Sequence, residues 1–374
     1  MVEITGFIHL TLKSRAYLEF LRGWSLEGDL GRLSSDIIQQ LDLPVYLSLA
    51  FLFGIASQFR AMDGESFLRR ITASFAGKIG LLYAVVVVTS LFSPLILNDV
   101  VILILTPVLI RYAKQFKVDI APLLVAEITF TNIASSLTPL GNPQNILLWT
   151  ASKSTFLQFV EGTWVPLLIS ACIAAVALLP MRRQLGGDRE SPALPGSTVP
   201  GFYLALVVVA LIVSDLSGLA TYLSLGACFV LGFSFTLRSL RKVVQNFDLR
   251  SILILYVFVG SISVASVFVG PALSGYAAPV AAGVQPYSAL FVGGLSNLIS
   301  NVPATQLVLS VTSVSPRIAS KIAVEAGLAG NIDPIASFAN ILALLMVKRA
   351  GLPIRKAIML QLLVGMVAFL PALL

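Results

Sequence analysis

The sequence predicts an all-α protein that crosses a membrane many times, folded as two inverted copies of one unit containing a re-entrant hairpin and a broken transmembrane helix. Three observations lead there: an apolar composition, polar breaks that recur in the same order in both halves, and basic residues gathered on one side. Of 374 residues 57% are hydrophobic and 11% charged, whereas soluble domains carry about 25% charged residues. The mean hydropathy is +0.92. Apolar stretches of roughly 20 residues, long enough to cross a bilayer, recur from residue 43 to the C-terminus. The net charge of +7 fits Lys and Arg gathered in cytoplasmic loops, and no basic run in a soluble domain points to nucleic acid. Cys172 and Cys228 lie in apolar segments and suggest no disulfide framework. A single histidine, His9, leaves no His-based metal site.

In chain order, residues 1–40 read as an amphipathic region without the long apolar core of a signal peptide. Full spans are expected at 43–60, 163–183, 200–215, 219–237, 250–271 and 357–374. Apolar segments interrupted by polar, Gly and Pro residues are read as hairpins at 79–112 and 285–313, and as broken helices at 120–150 and 322–347. The charged, Gly/Pro/Ser-rich stretch 184–199 links a first repeat, 41–183, to a second, 200–374.

The repeat is read from three blocks. Leu41-Asp42-Leu43 and Phe247-Asp248-Leu249 each open an apolar span, 206 positions apart. Leu97-Asn98-Asp99 and Ser300-Asn301-Val302 are offset by 203. The run Thr138 to Leu147 lines up with Asp333 to Leu342 at an offset of 195. With the hairpins re-entrant and the broken helices crossing, 18 of the 25 Lys and Arg fall on one side. They occupy Arg60–Lys78, Arg111–Lys117, Arg182–Arg189, Arg238–Arg250 and Lys348–Lys356. The other side keeps Lys13, Arg15, Arg22, Arg32, Lys153, Arg317 and Lys321. Span 43–60 then runs inward and span 250–271 outward, so the repeats are inverted, with the basic side and the linker cytoplasmic and the chain multi-pass in the inner (plasma) membrane.

Irregular backbone at membrane depth survives only when buried in protein or lining a wet cavity. Symmetry-related breaks therefore point to one central site, where half-helix N-termini offer partial positive charge to an anion and unwound carbonyls can coordinate a cation. The candidate substrate and ion ligands are Asn98, Asp99, Thr138, Gly141, Asn142, Asn145, Ser300, Asn301, Asp333, Ser337 and Asn340.

These motifs carry a resemblance. Leu97-Asn98-Asp99-Val100-Val101 with Thr106-Pro107, the Thr138–Asn145 run and Ser300-Asn301-Val302-Pro303-Ala304 resemble the ion transporter superfamily of arsenite permeases, citrate and dicarboxylate carriers and one branch of sodium/proton antiporters. The resemblance covers roughly residues 41–374 and is nearest to small uncharacterised prokaryotic members. It implies paired hairpins whose Asn-bearing tips meet the broken helices at mid-membrane, a homodimer, and elevator-like movement. Dicarboxylate carriers of that group hold Ser-Asn-Thr at both tips; the Asn98-Asp99 tip is more similar to the arsenite and antiporter branches.

Four carboxylates fall within apolar segments: Asp99, Glu127, Glu325 and Asp333. A charge at bilayer depth costs about 2.5–3.5 kcal/mol or more. No Lys or Arg is expected deep enough to pair with them, Lys78 being the nearest, so a bound cation or a proton is the expected use. Na+ is placed near Asp99 and Asp333, while Glu127 and Glu325 are read as coupling or structural acids. No arsenite site of thiolates is expected, because Cys172 and Cys228 are the two cysteines and neither lies at a break. The expected function is a secondary active transporter of a small anion coupled to H+ or Na+. A Na+/H+ antiporter is the alternative and a passive channel a weaker one. No enzyme is expected, since catalytic motifs and a nucleotide-binding P-loop are missing, and no cofactor beyond the coupling ion.

Overall fold

The computed structural model describes residues 43–182, 197–219, 221–247 and 249–374, and every regular element among them is helical. The region 1–40 and residues 184–196 of the linker lie outside the described residues. Before the linker come α1 (Leu43–Ala61), α2 (Gly64–Ile79), α3 (Leu81–Phe92), α4 (Asn98–Phe116), α5 (Ala121–Ser135), α6 (Pro143–Ser152) and α7 (Phe156–Arg182). After it come α8 (Val199–Leu216), α9 (Thr221–Thr236), α10 (Leu240–Asn246), α11 (Leu249–Ala281) and α12 (Tyr287–Ile299). The chain ends with α13 (Asn301–Val311), α14 (Pro316–Ala329), α15 (Phe338–Arg349) and α16 (Arg355–Phe369).

Local chemistry sets the boundaries near the site. Pro122, Pro143 and Pro316 stand in the first turns of α5, α6 and α14, where a missing N–H costs nothing. Asn142 caps α6 by accepting from the Gln144 N–H at 3.4 Å, and Ser315 caps α14 by accepting from Ile318 N–H at 3.4 Å. Gly80, at φ 83°, separates α2 from α3.

One stretch departs from the sequence reading. Residues 64–79, taken as part of a basic loop, form α2, bent by 70° from α1. Its buried face holds Phe67, Leu68, Thr72 and Ala76, and it packs on α3 while Arg69, Arg70 and Lys78 stay off that face. Helical periodicity of the apolar residues outweighs the loop-like charge. The second-repeat counterpart, α11, is a single helix of 33 residues.

Packing follows the repeat. The pair α3–α5 corresponds to α12–α14, the pair α7–α14 to α16–α5, and the pair α4–α15 to α13–α6. The last two sets join different halves, so neither half can assemble the centre alone. Outside this unit, α9 packs along α1, and α8 on α9. There Gln58, fully buried, accepts from the Tyr203 hydroxyl at 2.7 Å and donates to the Phe229 carbonyl at 2.8 Å, so its amide is matched rather than stranded.

The outer surface is apolar. Helix α7 alone exposes Leu157, Trp164, Leu168, Val176 and Leu179, a face suited to lipid rather than water. Among the described residues, the helices at Phe156–Met181, Tyr222–Asn246 and Arg355–Leu373 are each long and apolar enough to cross a membrane. Basic segments meet at contacts: Lys356 pairs with Asp119 at 2.6 Å, Arg70 donates to the Ser197 carbonyl at 3.4 Å, and Arg60 shares a cavity with Asn246.

Candidate functional site

Each hairpin tip is tied to the break of the broken helix in its own half by one backbone hydrogen bond. Asn98 N–H donates to the Gly141 carbonyl at 2.9 Å, and Asn301 N–H to the Ala336 carbonyl at 3.0 Å. Inside each break one asparagine gathers the carbonyls that the interrupted helix leaves free. Asn145 Nδ2 donates to the Ser135 and Thr138 carbonyls at 2.9 and 2.7 Å. Its counterpart Asn340 Nδ2 donates to Gly330 and Asp333 carbonyls at 2.6 and 3.3 Å. A third matched pair closes the turn: Thr138 Oγ1 accepts from Leu140 N–H at 3.2 Å, and Asp333 Oδ1 from Ile335 N–H at 2.8 Å. All three pairs keep the sequence offsets of 203 or 195. Together they satisfy backbone groups that a broken helix would otherwise strand in an apolar interior.

The two breaks meet through Asn132. Its Nδ2 faces the Gly330 carbonyl at 3.2 Å, Asn331 Oδ1 at 3.1 Å and Asn340 Oδ1 at 2.9 Å. On the other side Gln144 Nε2 donates to the Ala323 carbonyl at 3.5 Å. Asn132, Asn331 and Gln144 were missed as site residues in the sequence. At the repeat offset Asn132 faces Gly327, so symmetry alone gives no signal for it; its position at the end of an apolar run just before a break does. Four helix N-termini, those of α4, α6, α13 and α15, open at these tips and breaks. Each brings the partial positive charge of its helix dipole to the junction.

The junction is rich in unspent acceptors. Among the described residues, buried Asn132 Oδ1, Gln144 Oε1 and Asn145 Oδ1 have no hydrogen-bond partner. Stranded buried oxygens cost free energy unless something electropositive reaches them.

Of the predicted ligands, the structure brings together Asn98, Thr138, Gly141, Asn142 and Asn145 at one break and Ser300, Asn301, Asp333, Ser337 and Asn340 at the other. Ser300 adds a hydrogen bond from Oγ to the Ala336 carbonyl at 3.2 Å. Asp99 turns elsewhere. It is half-buried in the wall of a 90 Å³ cavity with Ser57, Arg60, Asn246 and Phe338, and Asp333 is not part of that wall.

The acids are thus not all far from bases, which corrects the sequence reading. Arg60 reaches the Asp99 cavity because the α1–α2 bend leaves the end of α1 beside the hairpin tip. Lys321 lies one turn from Glu325 and lines the same cavity; the i, i+4 spacing puts both on one helix face. Glu127 is fully buried, with both carboxylate oxygens 3.0 Å from the Thr106 hydroxyl. Among the described residues no group of three or more His, Cys, Asp or Glu could hold a metal ion.

A multi-pass helical membrane protein is the class that this fold defines. Within it, the chain belongs to the CitMHS family, described as citrate transporter, whose model matches residues 27–337. It is similar to inner membrane protein YbiR of Escherichia coli, 28% identical over 286 residues, covering 74% of this chain and 72% of that one. An uncharacterized transporter of Methanocaldococcus jannaschii is 26% identical over 304 residues, covering 78% of each chain. The rice silicon efflux transporter LSI3 is 32% identical over 164 residues, 42% of this chain and a 33% share of that protein. In three dimensions the fold matches the YdaH transporter of Alcanivorax borkumensis, whose topology is described as unusual. The TM-score is 0.55 at 16% identity, over 96% of this chain and 88% of that one.

Proposed function

We propose that this chain is a secondary active transporter that moves a small oxyanion or oxyacid with one or no net charge, coupled to H+ or Na+. The observation that carries this reading is the junction itself. Two halves tie four helix N-termini and five buried amides (Asn132, Gln144, Asn145, Asn331, Asn340) into one centre whose tips and breaks contain no Lys or Arg. Helix ends and amides suit weakly charged species better than a multiply charged anion, which would need a deep base or several cations beside it. The relative named for silicon efflux fits weakly charged, oxygen-rich cargo, whereas citrate, for which the family is described, is multiply charged and would need cations bound beside it. Coupling is supported by the stranded acceptors Asn132 Oδ1, Gln144 Oε1 and Asn145 Oδ1, which a cation or a proton-bearing group could satisfy. The same acceptors favour, as a second reading, cation exchange of the Na+/H+ type.

The basic segments joined by Lys356–Asp119, Arg70–Ser197 and Arg60–Asn246 support a cytoplasmic basic face and inverted repeats in the inner membrane. The homodimer stays part of this reading, to be checked by native mass spectrometry. Flux of citrate, silicic acid, arsenite, phosphate and Na+ in proteoliposomes under imposed pH and Na+ gradients tests the function. Uptake of an oxygen-rich solute driven by a gradient, and lost in Asn98→Ala and Asn301→Ala, is expected. Gradient-driven Na+ flux with no solute movement would replace it by the antiporter.

A further inference from the structure

A cavity of about 370 Å³ lies between α7, α14 and the last turn of the chain. Helix α14 lines it with Arg317, Lys321 and Glu325, spaced four residues apart and so on one face. Glu325 is fully buried, and neutral donors satisfy it: Oε1 accepts from Gln285 Nε2 at 2.7 Å, and Oε2 from the Ser288 hydroxyl at 2.8 Å. The two bases are less committed. Lys321 donates one hydrogen bond, to the Gly283 carbonyl at 2.9 Å, and keeps two donors. Arg317 is exposed and takes part in neither of the ion pairs found among the described residues. The facing wall is apolar, with Val165 and Ile169 of α7.

Position matters as much as charge. Gly162, in this wall, stands 20 residues before Arg182 on the same helix, about 30 Å from that basic end. Beyond residue 42, only Lys153, Arg317 and Lys321 lie outside the basic segments, and two of those three line this one cavity. Two scarce cations therefore converge on a space large enough for a small solute.

We propose that this cavity receives a singly charged oxyanion, held by Arg317 and Lys321, at the end of the molecule opposite the basic segments. Two cations against one carboxylate leave an excess of one positive charge, so Glu325 sets the preference against multiply charged anions. The inference deepens the anion reading and rests on it for physiological meaning alone; binding is measurable whether or not transport is.

Line broadening of [13C]formate by the purified protein in uncharged detergent tests it. Wild type should broaden the signal, and Arg317→Gln and Lys321→Gln should each weaken apparent affinity about three- to tenfold. Raising salt to about 0.3 M should remove most of the binding. Glu325→Gln should tighten it and let citrate compete better. The share of the broadening that Arg317→Gln and Lys321→Gln remove should persist in Asn98→Ala, at the junction, which separates this site from the transport centre. Absent broadening in wild type, or wild-type affinity in both base variants, would overturn the proposal. So would native mass spectra showing a phospholipid retained by wild type and lost in those variants, which would assign the bases to a lipid headgroup.

Discussion

The break at Ser136–Asn142 is buried apart from Leu137, whereas its counterpart at Gly330–Ser337 leaves Ile335 55% exposed, with Phe338 beside it 44% exposed. The matching positions in the first break, Leu140 and Pro143, are buried. Both breaks nevertheless hold the same three hydrogen-bond motifs. The repeated bonds therefore belong to the mechanics of interrupting a helix, and the unrepeated residues decide access. In the first break Thr138 also donates to the Pro94 carbonyl of the hairpin tip, closing that side. In the second, a carboxylate at the same position leaves Asp333 half-buried beside an open edge.

The exchange of small residues is the sharpest place to break this comparison. A Cβ on Gly141 would fall 2.1 Å from the Ser135 carbonyl oxygen and 2.6 Å from the Ser135 Cα, while its counterpart is Ala336, and Gly330 stands at the Ser135 position. Gly141→Ala should destabilise the protein by about 3 kcal/mol, seen as a lowered melting temperature in detergent. Ala336→Gly should cost under about 1 kcal/mol; equal losses would mean that the two breaks are packed alike.

Next come the asparagines that collect the free carbonyls. Asn145→Ala and Asn340→Ala should each cost about 2–3 kcal/mol by stranding two carbonyls. Asn340→Ala should cost more, because Asn340 also accepts from Asn132. Denaturant unfolding of both variants checks the order, and the reverse order would remove Asn132 as the bridge between halves.

The tips should differ in sign. Ser300 makes its turn alone, at φ 73° and ψ 156°, a region that disfavours side chains, whereas Leu97 at φ −47° ends a five-residue tip. Ser300→Gly should stabilise by about 1 kcal/mol and slow transport through loss of the Oγ contact to Ala336. Leu97→Gly should destabilise. The smallest effect on folding is expected for Asp333→Asn, within about 0.5 kcal/mol, since the amide oxygen still accepts from Ile335 N–H. Flux driven by pH or Na+ gradients is the decisive readout there, and an unaltered gradient response would end a coupling role for Asp333.

The helical class, the polar breaks and the asparagines at 98, 145, 301 and 340 were legible in the chain, because apolar length and local turn chemistry act over a few residues. So was the pairing of Thr138 with Asp333, through a constant offset. The bend that makes α2 a helix was not, since its charge pattern reads as a loop until its apolar face finds α3. Nor was the bridge from Asn132, which joins residues about 200 positions apart and breaks the symmetry that made the repeat visible. The neighbours of the acids, Arg60 near Asp99, Lys321 near Glu325 and Thr106 on Glu127, were decided by packing alone: burial, hydrogen-bond reach and the local field all depend on which helices meet, and that choice is made across the whole chain rather than along it.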